Sequence, residues 1–438
     1  MSVYSDILAK MADKILAKHD PQLEFVAKYN HDSPNPRELP TPIEMRRVAR
    51  PLRHIKHIPV KSLIFFSNNH PLQFSYETKI KTPIPPDELT VQVEYVGLNP
   101  VDLKIFNSYQ SHMNYEIGIG REYYGKVSEV GSNLKDVWHV GDEVCGTYWH
   151  PNLAKGTCES TILINPKVDV IIPKPVNITE QQASCVFYCL GAAFNILDQL
   201  DQEGKLNQES NILINGACTM TGLFALQLLK FHYRILKKVV LVCSTPGMAF
   251  IKSNLPELVD ELLFIDYIGA NGKINKPLED LVTNNKLVEY SSDTGDMVTQ
   301  PFGQGKFNLV LDFIGGYSII EHSNAIMTKG ATYVTTVGDY KSNYKKDTFS
   351  SWGNPSASMR KVFGKLFWSF DYRMFYFDPN QKLATNDWPK KCHELVESET
   401  IKFIPVDKVY DWKDVEKAFR HLRTGRVHGK VVLKVEKF

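Results

Sequence analysis

The sequence predicts an α/β protein: a compact β-rich domain joined to a doubly wound parallel sheet, behind an N-terminal helical and basic extension. Three observations carry that class. Residues 89–96 alternate apolar and polar positions as a half-buried strand does, and strand-and-glycine segments follow at 125–131 and 140–146. After Pro173 and Pro175 the chain changes to short apolar runs separated by helical stretches, the pattern of strands linked by crossover helices. One of those runs, Asn211-Ile-Leu-Ile-Asn215, ends in Gly216 and feeds directly into a helical stretch at 221–230.

Taken in order, residues 1–60 form the extension. Tyr4, Ile7, Leu8, Met11, Ile15 and Leu16 fall on one helical face, prolines at 34, 36, 40 and 42 mark a linker, and a basic run follows. That run holds Arg46, Arg47, Arg50, Arg53, Lys56 and Lys61, relieved only by Glu44. It reads either as the solvated face of an arm packed on the body or as a contact for anionic lipid or an acidic partner. Each Lys or Arg near an anionic surface contributes about 1 kcal/mol. The β-rich domain spans 61–183 and is completed by 385–438, where 403–434 returns to strand, helix and strand. The parallel-sheet domain spans 184–384. Thr179 followed by Glu180 starts its first helical stretch, which runs to 197, and strands are predicted at 211–215, 238–243, 261–266, 307–313 and 331–337. A polar insert at 269–306 is expected at the surface.

Composition narrows the function. With 51 Lys and Arg against 49 Asp and Glu, the net charge of +2 gives no overall attraction to nucleic acid. Seven cysteines without a CxxC pair fit neither a secreted disulfide framework nor a four-cysteine zinc site, so a reducing cytosolic setting is expected. The first twenty residues carry six charges, which leaves no signal-peptide core. The uncharged window 210–229 contains Asn, Thr, Gly and Gln and reads as strand, turn and helix, not as a membrane span.

Five segments then occur in a telling order: Val91-Gln-Val-Glu-Tyr-Val-Gly-Leu-Asn-Pro-Val-Asp102, Gly120-Arg-Glu-Tyr-Tyr-Gly-Lys-Val127, Val140-Gly-Asp-Glu-Val144, Asn211-Ile-Leu-Ile-Asn-Gly-Ala217 and Gly425-Arg-Val-His-Gly-Lys-Val-Val-Leu433. Together they resemble the medium-chain dehydrogenases/reductases, in the zinc-free, quinone-oxidoreductase-like branch. The resemblance implies a GroES-like domain plus a Rossmann domain. The extension and the altered motifs are similar to the fungal Ast-type proteins, implicated in delivering the plasma-membrane proton ATPase to the cell surface. Where alcohol dehydrogenases of the superfamily hold catalytic zinc, this chain has Asn99 and Arg121. A guanidinium stays protonated and offers a metal no lone pair, so no metal site is expected.

The six residues of the nucleotide loop are Ala217-Cys218-Thr219-Met220-Thr221-Gly222, after Gly216. The glycines of such a loop serve the turn, the approach of backbone to pyrophosphate, and helix–strand packing. Gly222 keeps the packing role. Thr219 puts a β-carbon where the phosphate approaches, and Met220 adds bulk. At the end of the next strand, Ser244 stands where an acidic residue would grip a ribose, a position that favours NADPH over NADH. Ala192 replaces a threonine of the relatives near the nicotinamide. The expectation is a chain that requires no cofactor, with NADPH as the dinucleotide its helix N-terminus could still meet. Tyr109 is the candidate general acid by resemblance and a structural tyrosine otherwise, one of twenty. Cys185 and Cys189 read as buried thiols of one helix face, and Asp312 as a shaper of the cleft.

The segment 363–377 contains eight aromatics, with Phe363, Leu366, Phe367, Phe370, Met374 and Phe377 at helical spacing. It reads as core or cleft wall, or as a membrane or partner surface if exposed. Two functions follow. In the first, a reductase fold that has lost most of its hydride-transfer equipment serves as a cytoplasmic factor, peripherally bound to plasma or Golgi-derived membranes, with the proton ATPase as partner. In the second, it is a working NADPH-dependent, zinc-free reductase of quinones or enones. Relatives often dimerise through sheet edges, which makes a homo-oligomer a further expectation.

Overall fold

The computed structural model describes residues 56–150, 155–290, 297–349, 356–360 and 368–436. The predicted helix, linker and basic residues Arg46, Arg47, Arg50 and Arg53 lie outside them, as do 363–367 of the aromatic segment. Lys56 opens an exposed strand, Lys56–Pro59, paired with Lys79–Thr82, so the last residues assigned to the extension belong to the folded body. Lys61 is not a free cation of the basic arm. Its ammonium pairs with Glu436 at 3.2 Å and lies over the rings of Phe74 and Trp412.

The β-rich part starts with β1 (Leu89–Leu98), β2 (Glu122–Val130), β3 (Glu143–Thr147), β4 (Thr161–Ile164) and β5 (Val170–Pro173). Helix α1 (Pro100–Ser108) leaves β1 through Asn99, whose N–H donates to the Asp102 carboxylate at 2.7 Å. The parallel part contains β6 (Ile212–Asn215), β7 (Val239–Cys243), β8 (Leu262–Asp266), β9 (Phe307–Asp312), β10 (Met327–Thr335) and β11 (Asp371–Met374). Its helices include α2 (Phe187–Gln202), α3 (Met220–Gln227), α4 (Thr245–Asn254) and α5 (Asn275–Asn284). From the C-terminal region come α6 (Trp388–Glu397), β12 (Val406–Asp411), α7 (Val415–Arg423) and β13 (Lys430–Lys434).

The first sheet runs β5-β3-β2-β1-β13-β12, with β4 also on β1, so the chain's last strands complete it. Amphipathic α7 closes its core with Val415, Ala418, Phe419 and Leu422. The second sheet is parallel throughout and runs β8-β7-β6-β9-β10-β11. Numbered from β6, that is the 3-2-1-4-5-6 order of dinucleotide-binding sheets, with the crevice at the β6/β9 switch point. Its strands are apolar on both faces because helices cover both. Ile212, Ile214, Val239 and Leu241 face a core shared with α2, α3 and α6, whereas Leu213, Val240 and Val242 face a core shared with α5.

Three expectations are corrected here. The insert at 269–306 is not merely surface: Leu278 and Leu281 of α5 are buried against the sheet, a two-residue apolar stripe hidden within a polar composition. Residues 388–397, read as part of the first domain, pack on α2, where Trp388 sits against Gly191 and Phe377. The helical spacing over 370–377 does not make a helix, because residues 371–374 form edge strand β11 on β10. Tyr372 and Phe370 are buried there, and Tyr376 is exposed.

Edge strand β11 is tied to the end of α2 by charge. Arg373 reaches the Glu203 carboxylate with both terminal nitrogens, at 2.9 and 2.5 Å, and Asp371 holds Lys205. The Arg373 guanidinium, opposed by partial burial, takes Glu203 from its ordinary 4.5 down to about 2. The folded-state value is depressed, so this contribution is present above pH 4.5 and is lost as pH falls through 2. Urea titrations across that interval should show the wild type losing stability more steeply than Glu203→Gln, and equal slopes would disprove the pairing. Trp388→Ala empties a fully buried indole site and is expected to cost about 3–5 kcal/mol in the same assay.

Candidate functional site

The floor of the site is a buried polar cluster where four segments meet. Glu122 of β2 is 1% exposed, and one of its carboxylate oxygens accepts from the Tyr188 N–H at 3.1 Å, from Asn99 Nδ2 at 3.4 Å and from Lys430 Nζ at 3.1 Å. The Tyr188 N–H belongs to the first turn of α2, so the carboxylate sits at a helix N-terminus, where negative charge is favoured. Lys430 of β13 also donates to Asn99 Oδ1 at 2.7 Å, to the Cys185 carbonyl at 3.3 Å and to Cys189 Sγ at 3.3 Å. Burial pushes Glu122 upward, against the pull of Lys430. Burial pushes Lys430 down, but Cys189, Glu122 and Cys185 outweigh it and hold the ammonium above the ordinary lysine range.

That ammonium occupies a nest of oxygen and sulfur atoms of the kind a metal would use. The zinc implied by the superfamily does not fit. Asn99 spends its carbonyl on Lys430, and Arg121 donates to the Gly120 and Lys155 carbonyls. Among the described residues no group of three His, Cys, Asp or Glu side chains could hold a metal ion.

The nucleotide loop lies beside this cluster: burial raises the Cys189 thiol, and Lys430 and Thr221 act the other way. Gly216 adopts φ +88°, and a Cβ on Gly222 would lie 2.5 Å from the Gly216 carbonyl oxygen, so the tight turn and the close helix–strand packing are both kept. Thr219 caps α3: its Oγ1 accepts from the Gly222 N–H at 3.1 Å and donates to the Gly216 carbonyl at 2.8 Å. Met220 corrects the expectation of bulk in the crevice. It is 5% exposed and packs into the core with Ala217, since an apolar side chain at the first helical position turns toward the sheet.

Ser244 is likewise consumed, accepting from the Gly247 N–H at 3.2 Å, and the Thr245 hydroxyl donates to Asp266 at 2.5 Å. A dinucleotide's phosphates would therefore be held by the N–H groups of Met220 and Thr221, which have no intrahelical acceptor. That is fewer donors than a glycine loop offers. When bound, NADPH supplies a hydride.

Asp312 accepts from Asn215 Nδ2 at 2.8 Å, from the Tyr333 hydroxyl at 2.9 Å and from the Gly315 N–H at 2.9 Å, which fixes the β6/β9 switch point. Ala192 and Ala193 are buried on α2. Tyr109 caps the end of α1 with its ring 5.7 Å from Phe65, in the core of the β-rich part. Burial and Tyr115 raise its hydroxyl, while Arg121 acts the other way. The structure thus brings the loop residues together, and it places Tyr109 against the other core.

Sequence reasoning missed Glu122 and Lys430 as partners. The signal was present, because both lie inside the quoted segments, but only the fold joins positions 308 residues apart. It also missed an aromatic wall. Trp149 stacks on Tyr188 at 5.6 Å and meets Phe349 at 5.9 Å, Phe349 meets Tyr376 at 5.8 Å, and Tyr188 meets Phe377 at 5.4 Å.

Lys430→Met would leave the Glu122 carboxylate buried without its cation. A loss of about 3–5 kcal/mol in urea unfolding is expected. The double variant Lys430→Met, Glu122→Gln should recover much of it. A single variant as stable as wild type would mean that the pair is not ionised.

Comparison with known proteins agrees with this architecture. Residues 85–169 match the alcohol dehydrogenase GroES-like domain, and 285–433 match the family described as zinc-binding dehydrogenase. The solved quinone oxidoreductase of Coxiella burnetii superposes with TM-score 0.60 at 20% identity, over 86% of this chain and all of that one. The human synaptic vesicle membrane protein VAT-1 homolog-like protein superposes with TM-score 0.55 at 17% identity, over 87% of this chain and all of that one. These two show the fold alone. Proteins AST1 and AST2 of Saccharomyces cerevisiae are each 48% identical over 432 residues, 98% of this chain and the whole of each. A match of that extent takes in most of the first 55 residues, and it places the chain in the AST1/AST2 family of the medium-chain dehydrogenase/reductase superfamily.

Proposed function

We propose that this chain works as a peripheral membrane factor that helps bring the plasma-membrane proton ATPase to the cell surface, using a reductase fold whose crevice has been turned to structural ends. One observation carries the reading: the polar side chains that would meet a dinucleotide and substrate are spent on the protein itself. Thr219 and Ser244 cap their own helices, and Lys430 fills the nest formed by Asn99, Glu122 and Cys189. The likeness to AST1 and AST2, which extends into the basic extension, supports the assignment of cargo and of membrane contact through Arg46, Arg47, Arg50, Arg53 and Lys56. Among the described residues no helix is long and apolar enough to cross a membrane, and the proposed attachment is peripheral, on the cytoplasmic face.

Flotation of cell extracts with anionic vesicles tests the contact. The wild-type chain is expected to float, and a chain with all five basic residues changed to Gln should stay in the soluble fraction. Normal ATPase delivery in cells lacking the protein would end the reading.

The second reading is an NADPH-dependent, zinc-free reductase of quinones or enones, favoured by the strand order at the crevice and the retained backbone at Gly216 and Gly222. The two readings part on cofactor titration. Thr219→Gly releases the Gly222 N–H for a phosphate, and one charge-assisted hydrogen bond of about 1.5–3 kcal/mol predicts NADPH binding tighter by about tenfold or more. The lost cap lowers stability by a few tenths of a kcal/mol to about 1 kcal/mol. If wild type already binds NADPH tightly and turns over a quinone panel, the scaffold reading falls.

A further inference from the structure

The nucleotide loop also carries a pair of thiols that helix capping leaves unused. Cys218 immediately precedes Thr219, the cap of α3, and Cys243 ends β7 immediately before Ser244, the cap of α4. The Cys218 thiol and burial together hold the Cys243 thiol above its ordinary range, as expected of neighbours. They meet beside Gly247, where an added Cβ would lie 2.5 Å from Cys218 Sγ and 3.5 Å from Cys243 Cβ, so the absent side chain at 247 is what leaves the Cys218 thiol its room.

Their exposures are complementary. Cys218 is half-buried, Cys243 is 3% exposed, and the remaining five cysteines are buried. Cys185 and Cys189 do not share the helix face expected of them, because Cys185 lies in the turn before α2, and Cys189 is engaged by Lys430 and Asn99.

We infer that Cys218 and Cys243 form a redox-active dithiol, in which Cys218 meets a hydroperoxide and Cys243 closes an intramolecular disulfide across the mouth of the crevice. The Cys218 thiolate attacks the peroxide, the O–O bond breaks, and water leaves with the thiol proton, giving a sulfenic acid. Cys243 sulfur then attacks Cys218 sulfur, the S–O bond breaks, and a second water carries off the hydroxyl and the Cys243 proton. Two thiols and one hydrogen peroxide become one disulfide and two waters. A small thiol reductant reverses the step by exchange.

The surroundings suit this order of events. Each cysteine immediately precedes the cap of a helix, so the two strand ends bring them side by side. Cys218 is half-buried and Cys243 is 3% exposed, which assigns first attack to Cys218 and resolution to Cys243.

The test reads thiols and does not depend on cofactor binding, so it stands or falls apart from either function above. The full-length native protein is treated with hydrogen peroxide, denatured, alkylated and mapped. The seven thiols should fall by two, with a linked peptide joining Cys218 to Cys243, and dithiothreitol should restore all seven. In Cys243→Ser, Cys218 should stop as a sulfenic acid captured by dimedone. In Cys218→Ser, a change at a half-buried position, the linked peptide should vanish and Cys243 should survive. Linkage between other cysteines, a persistent Cys218 sulfenic acid in wild type, or survival of both thiols would overturn the inference.

Discussion

The buried ammonium of Lys430 is the constraint on which the two halves of the fold depend. It joins the last strand of the chain to the loop after β1, to β2, and to the start of α2, and thus ties the first sheet to the helix that opens the second part. A carboxylate as enclosed as Glu122 would cost several kcal/mol if left alone. Here it has a cation, an amide and a helix N–H together, and the cation in turn has no proton left without an acceptor. Neither group can be removed singly without stranding the other.

The same economy governs the crevice above that floor. A glycine-rich loop leaves its backbone N–H groups waiting for a phosphate. Thr219 and Ser244 supply their own acceptors, each cap contributing about 1 kcal/mol to its helix. The gain in stability and the loss of ligand donors are one event, because the hydrogen bond that satisfies the helix is the one a phosphate would have made. Backbone features resist such change. Gly216 is held by its left-handed φ and Gly222 by its packing against the Gly216 carbonyl, so the turn keeps the shape of a nucleotide loop while the hydroxyls of Thr219 and Ser244 cap their own helices.

Much of this was legible in the sequence, and the limits have physical reasons. Continuous apolar runs such as Val239–Cys243 announced a sheet covered on both faces, and Thr179, Thr219 and Ser244 announced helix starts. Periodicity misled at 370–377, where aromatics on either side of the four-residue strand Asp371–Met374 mimic a helical stripe. It was silent at α5, where Leu278 and Leu281 alone anchor a polar helix. At the site, loop identities could be read but side-chain directions could not. Met220 looked like an obstruction and is core, and the Glu122–Lys430 pair required a fold that brings the ends of one domain together.

The aromatic wall completes the argument about what such a fold can still do. A reductase cleft must admit a substrate between its two parts, and so it needs faces that part easily. Here Trp149 from the first part meets Tyr188, Phe349 and Tyr376 from the second at ring distances of 5.6, 5.9 and 6.3 Å. Tyr188 and Phe377 carry the contacts on to Trp388. Aromatic pairs of this kind add about 0.5–1.5 kcal/mol each beyond the area they bury, and several in a chain resist opening together. Below them lies the Lys430 cluster, which resists it for electrostatic reasons. The ring contacts and the buried ion pair thus hold the two parts together by different forces, one apolar and one electrostatic.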